Sequence, residues 1–228
     1  MNYQKQLEEI LSQHKNDRKK LLLHSCCAPC SSYVLEYLRE YFDITVFFYN
    51  PNISSGSEYE KRVREEIRLI EAYNEQVRTG NFQNMNSTKA AGLIDIMDAP
   101  YEPNDFFEAV KGYEHEKEGG ERCKKCFELR LKKSAMVAKE KGFDYFTTTL
   151  TISPLKNADW LNEIGRCEGE KEGIPFLPSD FKKKDGYKRS IRLSKDFDLY
   201  RQDFCGCGFS KAEMEERRKM QEENKKQE

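Results

Sequence analysis

Apolar residues along this 228-residue chain fall into two alternating rhythms. Leu7, Ile10 and Leu11 recur at helical spacing and predict a first helix over about Tyr3 to His14. Lys20-Leu-Leu-Leu-His24 is a short apolar run and reads as a buried strand. Val34, Leu35 and Leu38 place a helix across Ser31 to Tyr41. Asp43 to Tyr49 is rich in β-branched and aromatic residues and predicts a second buried strand. Val63, Ile67 and Ile70 mark one face of a helix from about Glu58 to Tyr73. The pattern weakens from Gln76 to Ala99, where only Leu93 to Met97 reads as a short strand. Asn104 is placed to N-cap a helix through Val110. Phe127 to Lys141 reads as a strong helix closed by Gly142. Asp144 to Leu150, which carries three consecutive threonines, reads as a strand. Ala158 to Cys167 and Lys188 to Phe197 read as helices. From Lys211 onward charges dominate, and a solvated helix or a disordered tail is expected.

Strands alternating with helices predict an α/β protein: a mostly parallel sheet with helices on both faces. In such sheets ligands gather at the carboxyl ends of the strands, where strand-to-helix loops lie. The loop after the first strand therefore marks the expected site. The chain divides into an N-terminal helix (1–19), one α/β catalytic domain (20–210) and a charged tail (211–228).

Composition narrows the function classes. The chain has 39 Lys+Arg against 40 Asp+Glu, a net charge of −1, so nucleic-acid contact must come from a local patch. No stretch approaches the roughly 20 apolar residues of a spanning helix, and the first residues lack the apolar core of a secretory signal. A cytoplasmic location is expected, with no membrane partner. Against that background the chain carries eight cysteines. In a reducing compartment they point to metal binding or redox chemistry rather than structural disulfides.

The cysteines are clustered. Cys26, Cys27 and Cys30 lie in His24-Ser-Cys-Cys-Ala-Pro-Cys30, Cys123 and Cys126 in Cys-Lys-Lys-Cys, and Cys205 and Cys207 flank Gly206. Cys167 stands alone and reads as a small core residue without a role in the site. Three chemistries fit the groups. Two Cys-x-x-Cys pairs, Cys27/Cys30 and Cys123/Cys126, would complete a zinc tetrahedron. Cys27-Ala-Pro-Cys30 at a helix N-terminus would suit thiol–disulfide exchange, because that position stabilises a thiolate. An iron–sulfur cluster needs about four thiolates, and adjacent Cys26-Cys27 suits a cube better than a single ion. The tight Cys205-Gly-Cys207 spacing fits either a strained, redox-active disulfide or two further ligands.

Eight motifs in order carry a resemblance to a known family: His24-Ser-Cys-Cys-Ala-Pro, Tyr49-Asn-Pro-Asn52, Glu121-Arg-Cys-Lys-Lys-Cys126, Tyr145-Phe-Thr-Thr-Thr149, Ile152-Ser-Pro-Leu-Lys-Asn157, Phe176-Leu-Pro-Ser-Asp180, Gly186-Tyr-Lys-Arg189 and Tyr200-Arg-Gln-Asp-Phe-Cys-Gly-Cys207. From about Lys20 to Ser210 the chain resembles the cobalamin-independent, QueH-type epoxyqueuosine reductases of queuosine synthesis. The resemblance implies a HUP/Rossmann-like fold and reduction of epoxyqueuosine to queuosine at the wobble position of tRNA anticodons. It implies a 4Fe-4S cluster on Cys26, Cys27, Cys123 and Cys126, with an adjacent mononuclear iron sharing cluster thiolates. It also implies a redox-active disulfide of Cys205 and Cys207. Cys30 departs from a family position that also takes aspartate, and is carried as a ligand of the mononuclear iron. An electron donor is required, of unknown identity.

The RNA substrate calls for a basic surface. Lys182, Lys183, Lys184, Lys188 and Arg189 supply five positive charges in eight residues, with Tyr187 among them. They are the candidate tRNA contacts, through phosphate pairing and stacking of a splayed base. The competing reading is a cytosolic thiol–disulfide oxidoreductase with a structural zinc site.

Overall fold

A computed structural model describes residues 1–14 and 17–225. Its centre is a four-stranded, wholly parallel sheet in the order β3-β2-β1-β4. β1 (Lys19–His24) pairs with β2 (Phe42–Phe47) on one side and β4 (Tyr145–Thr148) on the other. β3 (Ile94–Met97) closes the edge beside β2. The apolar run of β1 occupies the middle of the sheet because both of its faces are covered. Leu21, Leu22 and Leu23 are each fully buried, and burying one such side chain is worth about 2 kcal/mol.

The pleat sends these three leucines to two cores. Leu21 and Leu23 join Ile44 and Val46 under α1 (Tyr3–Gln13), α2 (Ala28–Leu38) and α3 (Gly56–Thr79). Leu22 faces the other way, into Phe127, Leu131 and Phe146 under α5 (Glu121–Glu140) and α6 (Ala158–Glu172). Helices therefore cover both faces, as expected. α1 is part of the first core, since Leu7 and Leu11 are buried there.

The connections follow the parallel pairing. The chain runs β1-α2-β2-α3-β3 toward one edge, passes through α4 (Pro103–Ala109) and α5, and returns to β4 on the far side of β1. This order matches the first four strands of a Rossmann sheet. The direction reverses between β1 and β4, so a crevice opens at their carboxyl ends. The first cysteine group and the threonine run both lie there.

Several boundaries differ from those the sequence predicted. α2 begins at Ala28 rather than Ser31, because Pro29 is well tolerated in a first helical turn. α5 begins at Glu121, so Cys123 and Cys126 are helical residues rather than loop residues ahead of the helix. α4 is capped at Glu102 without a side-chain bond, and Asn104 lies inside the helix instead of capping it. β4 stops at Thr148, where the hydroxyl of that residue caps a 3-10 turn over Thr149–Ile152. α6 continues past Cys167 to Glu172. Gly142 does end α5, in the left-handed region at φ 70°. α7 spans Gly186–Asp196, and the charged tail forms α8 (Gly208–Lys225). Residues 226–228 of that tail lie outside the described residues. None of the described helices is long and apolar enough to cross a membrane.

Candidate metal centre

The turn from β1 into α2 sets the first cysteine group. Cys27 is the N-cap, in extended backbone at φ −178°, and the amides of Cys30 and Ser31 both donate to its carbonyl at 3.0 Å. This entry gathers the sulfurs of Cys26, Cys27 and Cys30 to within 4.8 Å of one another. Sulfurs so close share one negative charge. Hydrogen bonds from Cys27 and Cys30 hold Cys26 well below the usual thiol range. The same bond to Cys26, with burial and the Cys26 charge, pushes Cys27 up to about 12. Cys30 is likewise driven well above its ordinary value by its bonds to Cys26 and Cys27 and by burial. Of the three, Cys26 loses its proton most readily, and a bound cation would draw protons from the other two as well.

The loop is fastened from the ends of β4 and β2 and by the first turn of α2. The Thr149 hydroxyl accepts from the Cys26 amide at 3.3 Å and donates to the Cys26 sulfur at 3.5 Å. Asn50, on the loop after β2, donates to the Ser25 carbonyl at 2.8 Å. The Ser25 and Ser31 hydroxyls meet at 2.5 Å. Beneath them lies Glu66 of α3, fully buried, with neither carboxyl oxygen in bonding geometry to a donor.

Burial pushes Glu66 up to about 7, against a smaller opposing pull from the Ser31 and Ser25 hydroxyls. The consequence for stability has a definite sign. Between about pH 4.5 and 7 the folded chain keeps this proton and the unfolded chain releases it, so stability falls as pH rises. At about 1.4 kcal/mol per pH unit the loss is at most about 3 kcal/mol. Glu66→Gln should flatten this decline in urea unfolding measured at pH 5 and pH 8. An undiminished decline would place its origin in another group.

The second group lies at the start of α5. Cys123 and Cys126 are one turn apart and share a face. Burial raises Cys123, and pushes the fully buried Cys126 up to about 11. The third group lies between α7 and α8. Gly206 holds φ +119°, in which a side chain would be strained, and its carbonyl accepts from the Ser54 amide at 3.0 Å. Arg62 of α3 donates to the Cys205 carbonyl at 3.0 Å, and Asn52 reaches the Cys205 sulfur at 4.0 Å. The Cys207 sulfur accepts from the Ser210 amide at 3.3 Å at the start of α8. Burial, followed by the Cys205 charge, pushes Cys207 up to about 12.

The three groups converge. A cavity of about 340 Å³ is lined by Cys26, Cys27, Cys30 and Cys205. A smaller one beside it is lined by Cys123, Cys126, Cys205 and Cys207. Cys205 and Lys156 border both cavities. All seven clustered cysteines are free thiols. Cys167 is also free, but it is exposed on α6 rather than a core residue. It lies on the polar side of that helix, so nothing draws it inward.

The predicted basic stretch is not brought into either cavity. Lys182 pairs with Asp180 at 2.5 Å, Lys184 with Glu8, and Lys188 with Asp185 at 2.8 Å. Arg189 holds buried Glu36 at 2.5 Å and is a packing residue. Lys183 makes no ion pair among the described residues. A different basic set borders the larger cavity: Lys156, Arg201, Arg217 and Arg218. Met214, Arg217, Arg218 and Gln221 form one stripe of α8 at helical spacing, all facing that cavity.

Sequence reasoning also missed Arg130. It lies one turn past Cys126 on the face of α5 that carries Phe127 and Leu131, so helical periodicity from the cysteine would have found it. Lys156 was visible only as part of a motif without a role.

Fold and site together define a parallel α/β protein with a thiol-rich crevice, able to hold a metal ion, where strand order reverses. A family model described as "Epoxyqueuosine reductase QueH" matches residues 21–213. The chain is 42% identical over 214 residues to the "Epoxyqueuosine reductase QueH" of Staphylococcus epidermidis, covering 92% of this chain and 84% of that one. It is 40% identical over 212 residues to the protein of the same name from Streptococcus pyogenes, covering 92% and 78%. For the Thermotoga maritima protein, again of that name, identity is 35% over 197 residues, covering 86% and 93%. The chain belongs to the QueH epoxyqueuosine reductase family.

Proposed function

We propose that this chain reduces epoxyqueuosine to queuosine in tRNA. The carrying observation is the trio of close sulfurs at the reversal of strand order, in a chain that belongs to this family. The reaction takes the epoxide, two electrons and two protons to an alkene and water. In a strain that lacks epoxide reduction, expression of the chain should replace epoxyqueuosine by queuosine in bulk tRNA nucleosides. Persistence of the epoxide despite expressed protein would refute the assignment.

The thiol sets fit an iron–sulfur cluster and a neighbouring iron. Cys26 and Cys27 reach from the β1 loop and Cys123 and Cys126 from α5, on either side of Cys205. Cys30 sits with the first pair and is the proposed extra ligand of the mononuclear iron. When bound, the cluster and iron would supply single electrons and Lewis acidity. The protein's own part is to hold the sulfurs in register, through Thr149 on Cys26 and Asn50 on the loop. In this reading the free thiols of Cys205 and Cys207 cycle with a disulfide, whose formation releases two electrons and two protons. The donor that restores them is outside this chain.

A thiol–disulfide oxidoreductase acting through Cys27 and Cys30 is disfavoured by the electrostatics. Its nucleophile would be Cys27 held as a thiolate, whereas the hydrogen bond with Cys26, burial and then the Cys26 charge push Cys27 up.

The partner is tRNA. Lys182, Lys183, Lys184, Lys188 and Arg189 stay candidates for contact, but the carboxylates paired with four of them compete with phosphate. Arg217 and Arg218 are likewise paired, with Glu118, Glu213 and Asp203, but with Arg201 they border the cavity that holds the thiols and so are the favoured set. The triple variant of Arg201, Arg217 and Arg218 to alanine should flatten the salt dependence of tRNA binding by about two to three phosphate contacts. The triple alanine variant of Lys182, Lys183 and Lys184 should change it by about one. The opposite ranking would return the interface to the lysine stretch.

A further inference from the structure

Arg130 is 1% exposed, and it borders the larger cavity from α5. Its three nitrogens all have partners, and none of these is a carboxylate. Nη2 donates to the Asn50 side-chain oxygen at 2.7 Å, Nε to His24 Nε2 at 3.3 Å, and Nη1 to the Cys126 sulfur at 3.8 Å. Asn50 carries no charge. The His24 ring, whose other nitrogen lies 2.8 Å from the Thr148 hydroxyl, brings no negative charge. A guanidinium cannot shed its proton in a protein, and a buried cation without a counter-charge is strongly penalised. The groups beside it that are able to carry negative charge are sulfurs.

The guanidinium also sits between the two cysteine groups. Its Cys126 bond reaches the α5 pair. Through Asn50, which also holds the Ser25 carbonyl, it is tied to the β1 loop that carries Cys26 and Cys27. Lys156 borders the same cavity and makes no ion pair among the described residues. Two buried or half-buried cations without carboxylates thus face the same thiols.

We propose that Arg130 is the fixed counter-charge of the metal centre, a positioning residue that sets how readily the centre accepts an electron. The proposal rests on the reading of the cysteines as cluster ligands. Reduction adds a negative charge, and a cation held against a ligand sulfur in a dry pocket favours that more negative state. Loss of the charge must make the centre harder to reduce, whereas loss of packing alone need not.

The test is an anaerobic redox titration of the full chain, with the reduced cluster followed by electron paramagnetic resonance. Wild type, Arg130→Gln and Arg130→Lys are compared after iron and acid-labile sulfide have been measured in each. The expected result is a midpoint potential for Arg130→Gln shifted to more negative values, with Arg130→Lys restored most of the way to wild type. A cluster-bearing Arg130→Gln with the wild-type potential overturns the proposal, as does an equal shift in Arg130→Lys. If Arg130→Gln fails to retain a cluster, retention by Arg130→Lys supports the counter-charge role and loss from both overturns it. Wild-type protein without iron and sulfide is a separate result. It contradicts the cluster reading itself, and the proposal falls with it.

Discussion

Cys27→Ala should lose iron and epoxide reduction together, with the fold intact. Cys27 lies at the centre of the first group, with the Cys26 sulfur at 3.8 Å and Cys30 inside the same 4.8 Å set. Its side chain makes no capping bond to α2, so the helix does not depend on the sulfur. The substitution removes a ligand outright, and losses from disturbing mere supporting groups already reach about 10–100-fold. Turnover should therefore fall by roughly 100-fold or more, with iron content lowered and far-UV circular dichroism unchanged. Cys167→Ser is the matched control. Cys167 is exposed on α6, away from the other seven cysteines, and its loss should change neither quantity. A Cys27→Ala protein with normal iron and turnover would remove the first group from the centre.

Cys205→Ser should lower repeated turnover while leaving iron content intact. Cys205 borders both cavities, and its neighbour Cys207 is a free thiol. Gly206, the one residue between the two thiols, supplies a positive-φ backbone there, and Arg62 and Ser54 hold that turn by its carbonyls. Oxidation of the two thiols to one disulfide releases two electrons and two protons, which is the demand of one epoxide. Without Cys205 that pool is gone. Iron content should stay near wild type, and steady-state turnover should fall by roughly tenfold or more, in line with loss of a group used in each cycle. Undiminished repeated turnover would leave Cys205 and Cys207 without a redox role.

The sheet was legible because parallel strands buried on both faces are written as continuous apolar runs. Leu21 to Leu23 and Ile44 to Phe47 could hardly be read otherwise. The site's location followed from the same logic, since the cysteine loop closes the central strand. What the sequence hid was contact across elements. Arg130, Asn50 and His24 come from α5, the β2 loop and β1, and no local spacing announces that they meet. The lysine stretch hid contacts of the same kind: Glu8, Glu36, Asp180 and Asp185 lie against four of its five positive charges. The early start of α5 was missed because Cys-Lys-Lys-Cys carries no apolar stripe of its own. Its first turn is ordered by tertiary bonds, including the ion pair of buried Arg122 with Glu213 of α8 at 2.7 Å.

The account stands most directly on one measurement. Anaerobically prepared, reduced protein is incubated with tRNA that carries epoxyqueuosine, and the nucleosides are then resolved by mass spectrometry. The account predicts a product lighter than the epoxide by one oxygen atom, formed in proportion to iron-loaded protein and absent with Cys27→Ala. Unchanged epoxyqueuosine with fully iron-loaded protein and excess reductant would contradict it.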